Sequence, residues 1–192
     1  MTHEPLPHAG TIRKLLPADH AAYRDHLLRL DPESRRSRFS GAVSDAFIEN
    51  YASMSRDLST VMHGFFLDGI LRGVAELRPL GSPFTHEAEA AFSIEKPWQS
   101  HGVGAVLLRH TILSARNRRI RTLYMACLAE NKVMQRLARK FDADLKFDFG
   151  SVAAHVEAPQ PTALSLMRES LVDTLGFATA VLDVQARLLK HA

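Results

Sequence analysis

The hydrophobic and polar positions change period several times along this chain, and each change marks an element. Two runs rich in β-branched and aromatic residues, 61–67 and 70–77, flank Asp68-Gly69, the pattern of a β-hairpin. Residues 87–95 read as a further strand, closed by Pro97. After it Val103, Val106, Leu107, His110 and Leu113 recur at the spacing of an amphipathic helix. Residues 120–128 are apolar on both faces and predict a central strand. Residues 131–140 predict a helix with Val133, Met134, Leu137 and Phe141 inward, and 144–149 and 152–156, parted by Gly150-Ser151, predict the last strands.

Ahead of the hairpin, 11–16 predict a first strand, and Pro17-Ala18-Asp19 opens a helix whose apolar positions include Ala22, Leu27 and Leu30. Asp31-Pro32 ends that helix, because proline disfavours the helical conformation in the residue before it. Pro32-Glu33-Ser34 starts a shorter one, and Ser44 caps another over 44–54, with Phe47, Ile48, Tyr51 and Met54 on a core face. Beyond Pro159 and Pro161 a single stripe of Leu164, Met167, Leu171, Leu175, Ala178, Leu182 and Leu189, broken by Gly176, predicts one long helix or two shorter ones. Such a stripe calls for a cover, either the domain itself or a second copy of the chain, so a homodimer is expected. The whole reads as an α/β (α+β) domain over 1–158, with a mostly antiparallel sheet flanked by helices, and a helical extension over 159–192.

Composition narrows the functional classes. With 192 residues and 46% hydrophobic content, the chain can bury a sizeable core. No apolar run reaches the roughly 20 residues of a membrane span, and residues 1–10 lack the apolar core of a signal peptide, so a cytoplasmic location is expected. The single cysteine, Cys127, rules out an intrachain disulfide and sits in an apolar strand pattern as a small buried hydrophobe. A net charge of +3 suits an anionic ligand, whereas no helix-turn-helix or aromatic-basic platform points to nucleic acid. The cluster Arg35, Arg36 and Arg38 reads as a solvated helix face. His63, His86 and His101 are not spaced as a metal site, so no metal is expected.

The chemistry concentrates in Gln99-Ser100-His101-Gly102-Val103-Gly104-Ala105, where a strand turns into a helix. A helix N-terminus offers unpaired N–H groups and partial positive charge, and glycines let a phosphate approach the backbone. A Rossmann fingerprint would need a third glycine where Leu107 stands, and a nucleotide P-loop would need Lys-Ser/Thr after Gly104, where Ala105 and Val106 stand. Gln99-x-x-Gly102-x-Gly104 instead resembles the acyl-CoA-binding signature of the GNAT superfamily of N-acyltransferases. The order of elements over 11–156 is similar to that family's fold, and the segment 31–35 with Arg38-Phe39 is similar to GNAT modules that acetylate protein lysines in bacteria.

The resemblance implies acetyl-CoA as cosubstrate, with its pyrophosphate on Gln99 to Ala105 and its pantetheine along the backbone of Phe92, Ser93 and Ile94. It places Asn131 near the pantetheine and sulfur. The acceptor would be a primary amine of unknown identity, attacked in a ternary complex, and the attack needs a base. Strand alternation puts Glu87, Glu89, Ala91, Ser93 and Glu95 on one face, and Glu89 is the expected base with Glu76 of the neighbouring hairpin as the other candidate. Many family members carry a tyrosine after the helix leucine as general acid; here Leu137 is followed by Ala138, so Asn131, Ser93 or water would assist. The same departure suits an alternative, a degenerate domain that senses acyl-CoA without transferring it.

Overall fold

Strand pairing in the computed structural model, which describes residues 10–55, 59–81, 86–148 and 150–190, follows the alternation of the sequence closely. Among the described residues seven strands form one sheet: β1 (Thr11–Lys14), β2 (Val61–Leu67), β3 (Ile70–Pro79), β4 (Glu87–Ile94), β5 (Thr122–Leu128), β6 (Asp144–Asp148) and β7 (Ser151–Glu157). Their order is β1-β2-β3-β4-β5-β7-β6. Every neighbouring pair is antiparallel except β4 and β5. In the hairpin, Asp68 and Gly69 both take positive φ, 52° and 71°, which matches the right-handed twist of the strands. The expectations for residues 1–9, 82–85, 149 and 191 fall outside the described residues.

Helices cover both faces. On one, α1 (His20–Arg29) and α3 (Asp45–Met54) bury Tyr23, Leu27, Ile48 and Ala52 against Phe66, Leu71 and Val74. α2 (Pro32–Phe39) follows α1 directly; Asp31 caps it by accepting from the Glu33 and Ser34 N–H groups, both at 3.1 Å. On the other face α4 (Val103–Asn117) and α5 (Lys132–Arg139) bury Leu107, Leu108, Ala115 and Ala138 against Phe65, Leu77, Ala90 and Met125. Three expectations need correction. Phe47 and Met54 are exposed, so the core face of α3 is Ile48 and Ala52 with Tyr51 partly covered. Val133 is 47% exposed, and the inward side of α5 is built from Gln135 and Ala138 with Met134, Leu137 and Phe141 partly covered. β5 is central, yet only Leu123, Met125 and Cys127 are buried, and Ala126 on its opposite face is exposed.

The C-terminal stripe lies on one helix, α6 (Ala163–Lys190), which crosses β1 and α4. Gly176 marks the crossing, since a Cβ there would come within 2.8 Å of the Arg13 Cβ. The face α6 turns to the domain is polar. Glu169 accepts from Lys14 (2.6 Å), Ser114 (2.7 Å), Asn117 (2.7 Å) and Arg118 (3.0 Å), and Asp173 accepts from Lys14 at 2.6 Å. Because the Ser114 hydroxyl spends its hydrogen on Glu169, buried His63 must donate Nε2–H to it, at 3.0 Å. The leucine stripe therefore faces away: Leu164, Met167, Leu171, Leu175 and Leu182 are each more than 60% exposed. α6 itself packs on β1 and α4, but the charges on its inward face leave the stripe uncovered by the described residues.

The polar seam makes stability depend on pH in two steps. Burial, and then the neighbouring His110 and Lys14 charges, push His63 well below the ordinary histidine range. Burial alone would raise the Glu169 carboxyl, but its hydrogen bonds from Lys14, Asn117, Ser114 and Arg118 outweigh that and hold it at about 2. Both folded-state values lie below the unfolded ones, so the unfolded chain binds the protons more readily and stability is lost as pH falls. We expect thermal melts to decline first as pH drops through the unfolded histidine value of about 6.5, and again as it drops below the unfolded glutamate value of about 4.3. Glu169→Gln should shrink the second decline and leave the first; an unchanged acid limb would refute the assignment.

Candidate active site

β4 and β5 pair only at their first residues, Glu87 with Thr122, Ala88 with Leu123 and Glu89 with Tyr124. Beyond Glu89 the two strands part. A cavity of about 720 Å³ fills the split, lined by residues 89–94 of β4, 126–128 of β5, α2, the glycine turn and α5. Its size lies within the roughly 300–1,000 Å³ of small-molecule sites. The β4 edge facing the split has no β5 partner, so its backbone groups are available to an extended ligand that carries amides.

The glycine turn is built to present backbone. Gln99 Nε2 donates to the Ile94 carbonyl (2.8 Å) and to Ser34 Oγ (3.0 Å), tying the end of β4 to α2. Ser100 and Gly102 take positive φ, 62° and 80°, and Gly102 caps α4 by accepting from the Ala105 and Val106 N–H groups. Gly104 sits where a Cβ would meet Leu137 at 3.3 Å and Ile94 at 3.5 Å, so its missing side chain lets α4 approach both β4 and α5. Gln99, Ser100, Gly102, Gly104 and Ala105 line the cavity, as do Phe92, Ser93, Ile94 and Asn131. The side chains of His101 and Val103 do not: His101 is exposed with Nδ1 against the Gln99 carbonyl at 2.6 Å, and Val103 is buried in the core. Arg36, Lys96, Lys132, Arg136 and Lys140 give the cavity a basic lining suited to phosphates.

Asn131 caps α5, its Oδ1 accepting from the Met134 N–H at 3.0 Å, so the side chain is held at the cavity wall. Ala138 is fully buried in the core and is absent from the cavity lining. Cys127 lines the cavity, but burial pushes its thiol up, the opposite of what a nucleophile requires. Ser93 contacts buried His26 at 3.0 Å, and His26 contacts Glu95 at 3.3 Å. Burial keeps His26 below its ordinary range, hence neutral at pH 7.

The two candidate bases differ sharply. Glu76 is 2% exposed and accepts from Arg38 (2.6 Å) and Tyr51 (2.8 Å). Its burial would raise the carboxyl, but the Arg38 charge and the hydrogen bonds from Arg38 and Tyr51 hold it below the usual range. That carboxylate is spent on holding α2 and α3 to the sheet. Glu89 is half-buried, makes no hydrogen bond or ion pair with the described residues, and lines both the large cavity and a smaller adjoining one of about 240 Å³. Register confirms the face expected from alternation, with Glu76 opposite Ala91 and Glu89 opposite Arg78.

The basic cluster on α2 is a solvated face only at Arg36, which is 57% exposed. Arg35 donates to the Leu28 and Leu30 carbonyls at the end of α1, Arg36 pairs with Glu130 at 2.7 Å, and Arg38 is buried on Glu76. The Arg35 and Arg38 guanidinium groups thus find partners that periodicity cannot supply. Among the described residues, no group of three or more His, Cys, Asp or Glu side chains is gathered to hold a metal, and no helix is long and apolar enough to cross a membrane.

A split parallel pair with a glycine turn at its mouth is an architecture shared with known acetyltransferases. The profile of the acetyltransferase (GNAT) family matches residues 24–143. An acetyltransferase of Pseudomonas aeruginosa is 30% identical over 133 residues, covering 66% of this chain and 70% of that protein. The GNAT domain of S. lividans PAT superposes with a TM-score of 0.66 at 22% identity, covering 77% of this chain and 90% of that one. The yncA protein of Salmonella typhimurium, solved with acetyl-CoA, gives 0.59 at 17% identity, covering 81% and 97%. PaiA N-acetyltransferase of Thermoplasma acidophilum, solved with coenzyme A, gives 0.58 at 19%, covering 78% and 99%. The chain belongs to the GNAT acetyltransferase family.

The turn geometry yields a direct test. Gly104→Asp would add a side chain and a negative charge to the cavity lining, where the basic surround favours an anion. Calorimetry should show CoA affinity reduced by at least about tenfold, the equivalent of 1.4 kcal/mol, in protein whose circular dichroism remains native. Unchanged affinity would mean that the turn does not cradle CoA.

Proposed function

We propose that this protein transfers an acetyl group from acetyl-CoA to a primary amine by direct attack in a ternary complex. The observation that carries the reading is the position of Glu89, a carboxylate without a partner among the described residues, where the β4–β5 split meets a second cavity. Residues 90–94 would receive the amide-bearing arm of acetyl-CoA, and the turn from Gln99 to Ala105 with the basic lining its phosphates. Acetyl-CoA supplies the thioester. Glu89 takes a proton from the acceptor ammonium, directly or through water, and leaves the nitrogen lone pair free to attack. A backbone N–H of the exposed β4 edge is the natural donor to the carbonyl oxygen as it gains charge. Ser93 and Asn131 stand at the cavity wall, and water serves as the proton source for the departing thiolate.

A second reading has one specific observation in its favour. Ala138 leaves α5 without a phenol, as a domain that binds acyl-CoA without turning it over would be content to do. Glu89→Gln separates the two. It should keep CoA affinity and melting temperature while kcat/KM falls about a hundredfold to ten-thousandfold. Glu76→Gln should instead lower the melting temperature, because it leaves Arg38 buried without its counter-charge. Wild-type rates in Glu89→Gln would remove that residue from the chemistry. Tight CoA binding with no turnover of any amine by the wild-type protein would favour the sensor.

For the outward stripe of α6 we propose a second copy of the chain as the occupant. From Ala163 to Leu182 the exposed positions carry one charge, Arg168. A helix that lies on lipid is rich in Lys and Arg on its polar face, whereas here the polar face is the one turned inward. Two copies about a two-fold axis would each supply the apolar surface that the other lacks. Sedimentation should find a dimer at micromolar concentration, and Leu171→Glu with Leu175→Glu should yield a monomer of unchanged melting temperature. A monomeric wild-type chain refutes the dimer, and flotation of that chain with anionic vesicles would assign the face to lipid.

A further inference from the structure

The smaller cavity holds an unusual balance of charge. Glu76 and Arg38 neutralise one another inside it at 2.6 Å. What remains are Arg78 and Glu89, register partners on β3 and β4 whose side chains leave the same face of the sheet. Directly opposed residues in an antiparallel pair have Cβ atoms about 4.5–5.5 Å apart, a spacing at which an arginine and a glutamate readily bridge. They do not: no nitrogen of Arg78 lies within 4.0 Å of a Glu89 oxygen.

The reason lies in what holds Arg78. Its guanidinium donates to the Tyr51 hydroxyl at 3.2 Å, stands 5.6 Å from the Tyr51 ring centroid, and lies 3.7 Å from a Glu76 oxygen already shared with Tyr51. These contacts draw the side chain away from Glu89 without satisfying it. Among the described residues its other donors have no partner, and the side chain is 41% exposed. One surplus cation and one surplus anion thus face a single small cavity, held apart.

We infer that the acceptor is a small zwitterion, an amine bearing a carboxylate a few bonds from its nitrogen, as in an amino acid. The inference rests on the acetyl-transfer reading of the same site. The ammonium lies against Glu89 and the carboxylate against the planar fork of Arg78, which suits a carboxylate in bidentate fashion. A cavity of about 240 Å³ accommodates such a molecule. A diamine would bring its second positive charge against Arg78 and is rejected by repulsion. In the reaction the acceptor nitrogen bonds to the acetyl carbon and the C–S bond breaks. The ammonium gives one proton to Glu89 and on to water before attack, the nitrogen gives a second to water as the tetrahedral adduct collapses, and the departing thiolate takes a proton from water. Arg78 touches the acceptor but no reacting atom, so it determines specificity rather than the chemical step.

The test measures thiol release at saturating acetyl-CoA with the standard amino acids, their carboxamides and straight-chain diamines as acceptors. For the preferred amino acid, kcat/KM should exceed that of its carboxamide by about tenfold to a hundredfold, the range expected for one charged hydrogen-bonded pair. Arg78→Gln should raise KM for the amino acid by a similar factor, leave KM for acetyl-CoA alone and erase the preference over the carboxamide; Arg78→Lys should restore part of it. Equal use of acid and carboxamide, or a preference for diamines, overturns the zwitterion and leaves acetyl transfer standing. Thiol release with none of these amines, in protein that binds CoA, overturns both.

Discussion

Everything at the candidate site depends on one interrupted ladder. β4 and β5 are the only parallel neighbours among the described strands, and their pairing stops at Glu89 and Tyr124. A strand in the middle of a sheet normally satisfies its backbone on both sides; here residues 90–94 have a partner on the β3 side alone. The gap is stable because it is walled. α2 closes it from one side through Asp31, Ser34 and Gln99, and α5 from the other through its Asn131 cap, so the open edge faces a defined cavity rather than bulk solvent.

The buried Arg38–Glu76 pair then divides the labour between two carboxylates on one face of the sheet. Taking both charges out of water is costly, and such a pair contributes little net stability compared with an apolar replacement. Removing one partner is another matter, at about 3–5 kcal/mol. Its value here is positional: it pins α2 to β3, and through Tyr51 it reaches α3, so both cavities share a rigid wall. By occupying Glu76 it also leaves Glu89 as the carboxylate of the smaller cavity that has no partner among the described residues. Among the described residues Glu89 stays without a partner because Tyr51 and Glu76 draw Arg78 to their side.

Much of this was legible in the sequence, and the omissions have physical causes. Asp68-Gly69 announced its hairpin, Gln99 to Gly104 its turn, and two-residue alternation placed Glu89, Ala91 and Ser93 on one face of β4, because these signals are local. The parting of β4 from β5 is not local: alternation reports which way side chains point and is blind to whether the backbone has a neighbour. Arg38 looked like any charge on a short helix, since its partner lies 38 residues away. Val133 was misplaced because α5 spans only eight residues, too few for a stripe to fix its own phase. In α6 the period named the residues that share a face but could not say which way that face turns.

The inverted orientation of α6 follows from the partners available to it. β1 and the last turns of α4 offer Lys14, Ser114, Asn117 and Arg118, and a leucine stripe laid over them would bury those groups unsatisfied. Glu169 and Asp173 satisfy them instead, and Gly176 lets the helix come close enough to β1 for those bonds to form. Polar seams fix geometry more strictly than apolar ones, because each donor accepts few positions. The seam grips the C-terminal half of α4, whose N-terminal turn lines the cavity. A single helix thus connects the two ends, so the contacts that aim the α6 stripe outward also hold α4 in the orientation that presents its first turn to the cavity.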